Sequence, residues 1–275
     1  MSVSGAGDAS PAPDPVTRPP FGDRLAAAVA ARESQIVLGL DPDPARLWPS
    51  ALHRTSEGRA ELARALADAH AEMQTLIEEH EDLLATERIE RERERFRAEH
   101  GRAPTDADQG WGPIAEPGRG AYVPVHAAAL EGAAAVLVHC MALIDAAGPA
   151  CVAAKPQLAC FERLGFAGML ALEAVRAYAG AAGLLVLADG KRGDVPVTAA
   201  AYAQALAGTT SSPFGAAPGL DADAFTANPL LGRDALAPLI AGARAAGAGA
   251  FVLVRTSNPG AADLLDLPLA TGEPL

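Results

Sequence analysis

The chain alternates between short, continuous apolar runs and longer segments in which apolar residues recur at helical spacing. A short apolar run that closes on polar or turn residues is typical of a strand buried in a parallel sheet. The sequence predicts five such strands, at Ile36–Leu40, Cys151–Lys155, Leu184–Asp189, Ala224–Asn228 and Ala250–Thr256. Helical spacing predicts helices at Phe21–Glu33, Glu57–Leu84, His126–Ala147, Glu162–Ala182, Thr198–Ala207 and Asp234–Ala246.

This alternation of strands and helices favours a parallel sheet. Each predicted strand closes on a polar or charged residue, at the edge where both (β/α)8 barrels and open doubly wound sheets bind their ligands. The first strand is not followed by the G-x-G-x-x-G turn of a dinucleotide-binding doubly wound sheet. We therefore predict an α/β fold of the (β/α)8 barrel type, with about five of the eight strands present.

Two segments depart from this pattern. Residues 1–20 are rich in Pro, Ser, Gly and Asp, which predicts a disordered tail ahead of one partial barrel domain over residues 21–275. Residues 85–124 combine a highly charged helical stretch with a Pro/Gly-rich loop and are interpreted as an insertion. Opposite charges four residues apart favour a solvated helix or a coiled-coil arm there, and an RNA-binding arm is the alternative.

Composition narrows the possible partners. The 275 residues are 50% hydrophobic and 20% charged, enough for one large α/β domain. The net charge of −12 argues against nucleic acid or an anionic membrane surface as a partner. No segment is expected to supply the ~20 apolar residues of a membrane span. The three cysteines form no C-x-x-C pair, so we expect reduced thiols acting as apolar fillers and a cytoplasmic protein.

The candidate chemistry is concentrated in Leu184–Thr198, where an apolar run ends in several charged residues. Side chains at i and i+2 of a strand share a face, so Asp189 and Lys191 are predicted to point the same way, with Asp194 on the following loop. One interpretation of this cluster is a functional site, and the alternative is a network of ion pairs with a purely structural role.

The ordered motifs resemble the orotidine 5′-monophosphate decarboxylase family, in particular its bacterial subgroup with K-R-G-D in the central motif. The resemblance covers about Phe21–Ser56 and His126–Asp266. The matching motifs are G-L-D-P at Gly39–Pro42, K-P-Q at Lys155–Gln157, D-x-K-R-G-D at Asp189–Asp194, T-x-N-P at Thr226–Pro229 and T-S-N-P at Thr256–Pro259. Thr226 and Asn228 are either part of the site or only close the end of the sheet.

The resemblance implies decarboxylation of orotidine 5′-monophosphate to UMP, by a homodimer that needs neither metal nor cofactor. It implies that Lys191 protonates C6 and that Asp189 faces the substrate carboxylate. Asp41 and Lys155 would contact the ribose. Ser257 would form a hydrogen bond with the pyrimidine ring, and Asn258 would also bind the substrate. Asp194 and Thr198 would reach into the neighbouring subunit's site. In physical terms, a fixed ammonium would stabilise the charge that develops on the ring carbon.

The resemblance also implies three further strands, which carry the phosphate-binding loop and a later arginine and which this chain lacks. We therefore expect a truncated barrel with open edges, which is completed by another chain or is not a working enzyme. Two other readings stay open. One is a related sugar-phosphate barrel, such as a metal-dependent hexulose-phosphate synthase. The other is an inactive remnant that only binds a partner.

Overall fold

A computed structural model describes residues 18–65, 93–95, 97–102, 127–212 and 215–268. The strands are β1 (Ile36–Leu40), β2 (Cys151–Pro156), β3 (Leu185–Arg192), β4 (Thr209–Ser212), β5 (Gly215–Pro218), β6 (Ala224–Ala227) and β7 (Gly249–Val252). The helices are α1 (Phe21–Arg32), α2 (Pro49–His53), α3 (Ala127–Ala147), α4 (Leu158–Glu162), α5 (Gly165–Ala181), α6 (Pro196–Ala207) and α7 (Arg233–Ala245). Residues 55–65 are also helical, and short 3₁₀ turns cover Gly148–Ala150 and Pro259–Asp263.

The main sheet has five parallel strands in the order β1-β2-β3-β6-β7. Each strand pairs with the next one of the sheet along the chain, and the order never reverses. A doubly wound sheet reverses its strand order at the ligand crevice, whereas a (β/α)8 barrel does not. The predicted barrel-type sheet of five strands is therefore confirmed.

Burial follows the position of each strand in this sheet. β2 and β6 are almost wholly buried, as the apolar runs predicted. The two outer strands differ from the prediction, since Ile36 and Val37 of β1 are 58% and 44% exposed and Phe251 of β7 is 45% exposed. These strands have a neighbour on one side only, within the part of the chain that the structure describes. Their continuous apolar character is typical of barrel strands, although among the described residues no strand pairs with the outer side of either one.

Helix α3 supplies much of the core. Val136, Leu137 and Ile144 are fully or almost fully buried, and the helix packs on α5. The expectation that no segment has the length and composition of a membrane span is wrong, because Ala127–Ala150 has both. Half of the most apolar window in this stretch is buried within the fold. The helix is apolar because it is a central core element.

Helix α1 closes the end of the sheet at which the strands begin. Arg24 forms an ion pair with Asp223, the residue just before β6, and donates to the carbonyl of Gly247, shortly before β7. Arg32 donates to the carbonyls of Gly148 and Ala182, which precede β2 and β3. An apolar cavity of about 320 Å³ lies between α1 and the sheet. This end of the sheet is therefore held by arginines and carries none of the predicted site residues.

Several predicted boundaries change in the structure. The strand predicted to end at Asp189 continues to Arg192, and the helix predicted over Glu162–Ala182 begins only at Gly165, as α5, because Glu162 ends the separate short helix α4. The chain turns between them at Gly165, whose φ of 62° lies in the left-handed region that glycine adopts without strain. The β4-β5 hairpin was not predicted, since its small polar and Ala/Gly residues carry no strand-like apolar pattern.

Some predictions fall outside the described residues. The tail over residues 1–17 and most of the 85–124 insertion are among them. Within that insertion the described residues 93–95 and 97–100 are helical, and Arg95 pairs with Glu99 four residues on, as expected for a solvated helix. The helix predicted over Glu57–Leu84 is described only to residue 65.

The contact between α4 and α5 gives a test of this packing. A Cβ added at Gly168 would lie 1.9 Å from the backbone oxygen of Phe161, whereas one at Gly180 in the same helix would meet nothing within 4 Å. We expect Gly168→Ala to lower the free energy of unfolding by about 1–3 kcal/mol because the two backbones must separate. Gly180→Ala should leave that free energy unchanged or raise it by up to ~1 kcal/mol. Urea denaturation of both variants measures the difference, and equal stabilities would contradict this packing.

Candidate active site

The candidate site lies at the carboxyl ends of β2, β3 and β6. Lys155 is the next-to-last residue of β2, Gln157 directly follows that strand, and Asp189 and Lys191 lie near the end of β3. Because these parallel strands are adjacent, their carboxyl ends meet at one edge of the sheet. An isolated bridge between Gln157 and Asp189 aligns the two strands at this point.

The carboxylate of Asp189 is the centre of the site. Its side chain is only 6% exposed, and Lys155 Nζ and Lys191 Nζ each approach one of its oxygens at 2.6 Å. The hydroxyl of Thr226 donates to Oδ1 at 2.9 Å, and the amide of Gln157 donates to Oδ2 at 3.3 Å. A buried carboxylate needs such partners because its desolvation is costly. The prediction that Asp189 and Lys191 point the same way is confirmed by their ion pair.

These contacts keep the buried acid ionised. Burial by itself raises the pKa of Asp189, but hydrogen bonds from Lys155, Lys191 and Thr226 outweigh it, so the pKa lies below its ordinary value. One carboxylate thus faces two ammonium groups, and Lys191 is the more exposed of the two lysines. This arrangement places an ammonium group, held by a fixed carboxylate, at the carboxyl ends of the strands.

Arg192 and Gly193 of the central motif make structural contacts beside the cluster. Arg192 forms an ion pair with Glu162 and lies over the ring of Tyr202, 5.5 Å from its centroid, which is a structural role. Gly193 passes close to β6, since a Cβ there would lie 2.5 Å from the backbone oxygen of Asn228. Asn228 also closes a turn, because its Oδ1 accepts a hydrogen bond from the amide of Leu230.

Asp194 lies on the loop after β3, as predicted, but it does not extend the charged row. Its Oδ1 accepts a hydrogen bond from the amide of Val195 at 2.7 Å. Among the residues that the structure describes, it forms no ion pair with Lys191. Within one protomer the charged cluster therefore consists of Lys155, Asp189 and Lys191, and Asp194 lies outside it.

The other predicted site residues lie at the same end of the sheet without joining the cluster. Asp41 directly follows β1 and is exposed. Thr198 is half-buried in the first turn of α6. Ser257 and Asn258 follow β7 and are exposed, and the side chain of Asn258 does not cap the 3₁₀ turn after it. Their positions around the cluster, at the same end of the sheet, suit contacts with a ligand. Their roles in substrate binding stay predictions.

Thr226 and Gln157 are the two residues of the cluster to which sequence reasoning gave no definite role. Both belong to quoted motifs, T-x-N-P and K-P-Q. The sequence feature that could have indicated their roles is that each lies at the end of a predicted strand within one of these motifs.

The cysteines have no part in this site. Cys140, Cys151 and Cys160 are free thiols, and burial raises the pKa of Cys140 to about 12. A thiol with so high a pKa is a poor nucleophile at neutral pH. Within the described ranges, no three His, Cys, Asp or Glu side chains are grouped as metal ligands would be.

Comparison with known proteins points to one family. A family model described as orotidine 5′-phosphate decarboxylase / HUMPS family matches residues 134–271. The orotidine 5′-phosphate decarboxylase of Rhodopirellula baltica is 46% identical over 138 residues, which cover 49% of this chain and 44% of that protein. The enzyme of that name from Deinococcus radiodurans is 48% identical over 122 residues, which cover 44% of this chain and 42% of that protein. The chain thus spans less than half the length of these curated relatives.

Solved structures support the fold. An orotidine 5′-phosphate decarboxylase structure from Streptomyces avermitilis superimposes with a TM-score of 0.56 at 27% identity, covering 94% of this chain and 61% of that one. The orotidine 5′-monophosphate decarboxylase of Plasmodium berghei superimposes with a TM-score of 0.53 at 16% identity, covering 92% and 67% of the two chains. The second likeness bears on the fold alone.

The lowered pKa of Asp189 predicts how stability depends on pH. A depressed carboxyl pKa contributes stability above the unfolded value of about 3.9, and this contribution is lost as the pH falls through the folded pKa. Between about pH 5 and pH 2, the free energy of unfolding of the wild type should therefore fall more steeply than that of Asp189→Asn. Denaturant titrations at several pH values measure both slopes, with Asp23→Asn as a surface-charge control. Parallel curves for wild type and Asp189→Asn would contradict the ion-paired state of this carboxylate.

Proposed function

Since the chain belongs to the orotidine 5′-phosphate decarboxylase / HUMPS family, we propose that its charged site decarboxylates orotidine 5′-monophosphate to UMP, a step of pyrimidine nucleotide synthesis. The observation that carries this proposal is the Lys155–Asp189–Lys191 cluster, built on adjacent parallel strands. The name of the two relatives, at 46% and 48% identity over the matched residues, supports it. From the sequence motif at Asp189–Asp194 we further propose that the chain belongs to the K-R-G-D subgroup.

The chemistry follows from the charge that the reaction creates. The bond between C6 and the carboxylate breaks, carbon dioxide leaves, and the electron pair stays on C6. The ammonium of Lys191 stabilises this charge as it forms and then donates a proton to C6, which gives UMP. Lys191 recovers its proton from solvent, so one proton is consumed for each carbon dioxide released. Lys191 suits this role because its side chain is 41% exposed while its charge is held by Asp189.

Asp189 has two effects in this proposal. Its carboxylate orients Lys191 through the ion pair between the two side chains at 2.6 Å. It also lies where a substrate carboxylate would approach, so repulsion between the two anions is relieved when carbon dioxide leaves. Lys155 holds the other oxygen of Asp189, and we propose that it also contacts the ribose. Asp41, Ser257 and Asn258, which lie around the cluster at the same end of the sheet, contact the substrate.

We further propose that the working unit is a homodimer in the cytoplasm, in which Asp194 and Thr198 reach the partner's site. The start of α6 supports this, because Val195 and Val197 beside Asp194 are 57% and 85% exposed. Apolar side chains so exposed next to a site suit a surface that a second copy covers.

We also propose one domain over residues 21–275 that is interrupted by the 85–124 insertion. The pairing of β1 with β2 supports it, because these strands flank the insertion in sequence and are adjacent in the sheet.

The proposed activity is tested by carbon dioxide release from orotidine 5′-monophosphate by the purified chain, with its intact mass confirmed. We expect release by the wild type and a loss of at least about a hundredfold in Lys191→Ala, because the substitution removes the proposed proton donor. Circular dichroism of both proteins controls for folding. No release from a folded wild-type chain would overturn the proposal, and would favour a remnant that only binds a partner.

The proposed dimer is tested by sedimentation velocity across a range of protein concentrations. We expect Val197→Glu to shift the protein towards the monomer, since a charge would be buried in the interface. Val197→Ala should retain the dimer as the matched control. A monomeric wild type, or a dimer unaffected by Val197→Glu, would contradict this surface as the interface.

A further inference from the structure

The pairing of β3 with β6 is interrupted at the site. Ala188 pairs with Phe225 and Arg192 pairs with Ala227, so the segment Asp189–Lys191 lies opposite the single residue Thr226. Such an irregularity leaves backbone groups of the longer strand without partners in the ladder, and it changes the direction of side chains there. The two charged residues of β3 thus owe their placement to a bulge.

The hydroxyl of Thr226 satisfies this bulge in two ways. It accepts a hydrogen bond from the backbone amide of Lys191 at 2.8 Å, and it donates its proton to Asp189 Oδ1 at 2.9 Å. Thr226 is itself buried, with 8% exposure. One hydroxyl therefore uses both its donor and an acceptor position, and it connects the backbone of the lysine with the side chain of the aspartate.

Lys191 needs this restraint because its backbone is strained. Its φ of 48° lies in the left-handed region, which costs a residue with a Cβ about 1 kcal/mol or more. The ion pair from Lys191 Nζ to Asp189 holds only the far end of a flexible side chain. The hydrogen bond to Thr226 holds the other end, at the backbone.

We propose that Thr226 is a positioning residue, whose hydroxyl holds the Asp189–Lys191 bulge in the conformation that presents the lysine ammonium to the substrate. The catalytic part of this inference rests on the proposed function, whereas the structural part concerns Asp189 and Lys191 alone. Thr226 touches neither substrate nor reacting atoms in this account. It acts through the two charged residues.

The test compares Thr226→Val, which keeps the shape and strand preference but removes both hydrogen bonds, with Thr226→Ser, which keeps the hydroxyl. Thr210→Val on the exposed β4-β5 hairpin is the matched control. Carbon-13 NMR of the aspartate carboxyls measures the titration of Asp189 in the full chain without any need for activity. We expect Asp189 to titrate about half a pH unit higher or more in Thr226→Val, since a hydrogen bond to its charged form is lost, and to return towards wild type in Thr226→Ser.

Steady-state kinetics with orotidine 5′-monophosphate supply the second readout. We expect Thr226→Val to lower kcat by about ten- to a hundredfold with a smaller change in KM, and Thr226→Ser to recover most of it. If the wild type releases no carbon dioxide, the proposed function fails while the NMR titration still decides the role of Thr226. If Asp189 titrates in Thr226→Val as it does in Thr210→Val, the positioning role is overturned.

Discussion

The carboxylate of Asp189 is the one group on which this end of the sheet depends. It is buried, and it is stabilised because β2 supplies Lys155, β6 supplies Thr226 and its own strand supplies Lys191. Each partner would be left with an unsatisfied charge or hydroxyl if the carboxylate were absent. The same contacts that make burial of the acid tolerable also fix the position of the lysine. Stability and chemistry at this edge therefore share one set of hydrogen bonds.

The opposite end of the sheet is organised by a separate set of charges. Arg24 binds Asp223, whose other oxygen accepts a hydrogen bond from the amide of Val186 at 2.7 Å. β3 and β6 are thus joined by a side chain at each end, by Asp223 where β6 begins and by Thr226 where it finishes. Ligand sites of barrels lie at the carboxyl ends of the strands. The arginine contacts of α1 fit that division, since they stabilise the fold and leave the other end to the charged cluster.

Much of this arrangement could be predicted from the sequence. The bounds of β1 were predicted to the residue, and Asp189 and Lys191 were predicted to point the same way, although the structure brings them together through a bulge and not through the two-residue period of a regular strand. The bulge could not be predicted, because it arises from the register between β3 and a strand far along the chain. The exposure of β1 and β7 was missed because apolar runs do not reveal which strands lie at the edges.

The consecutive strand order has a consequence for how the protein is made. Each strand of the sheet pairs with the one synthesised before it, so the sheet can grow in the order of translation, which proceeds at about 5–20 residues per second. The lysines and the aspartate of the cluster all leave the ribosome before Thr226 does. During that interval the nascent chain carries an acid that β6 does not yet cover, and water supplies its missing hydrogen bond. The arrival of one short strand therefore replaces that water with a fixed hydroxyl and completes the ordered cluster around the buried carboxylate.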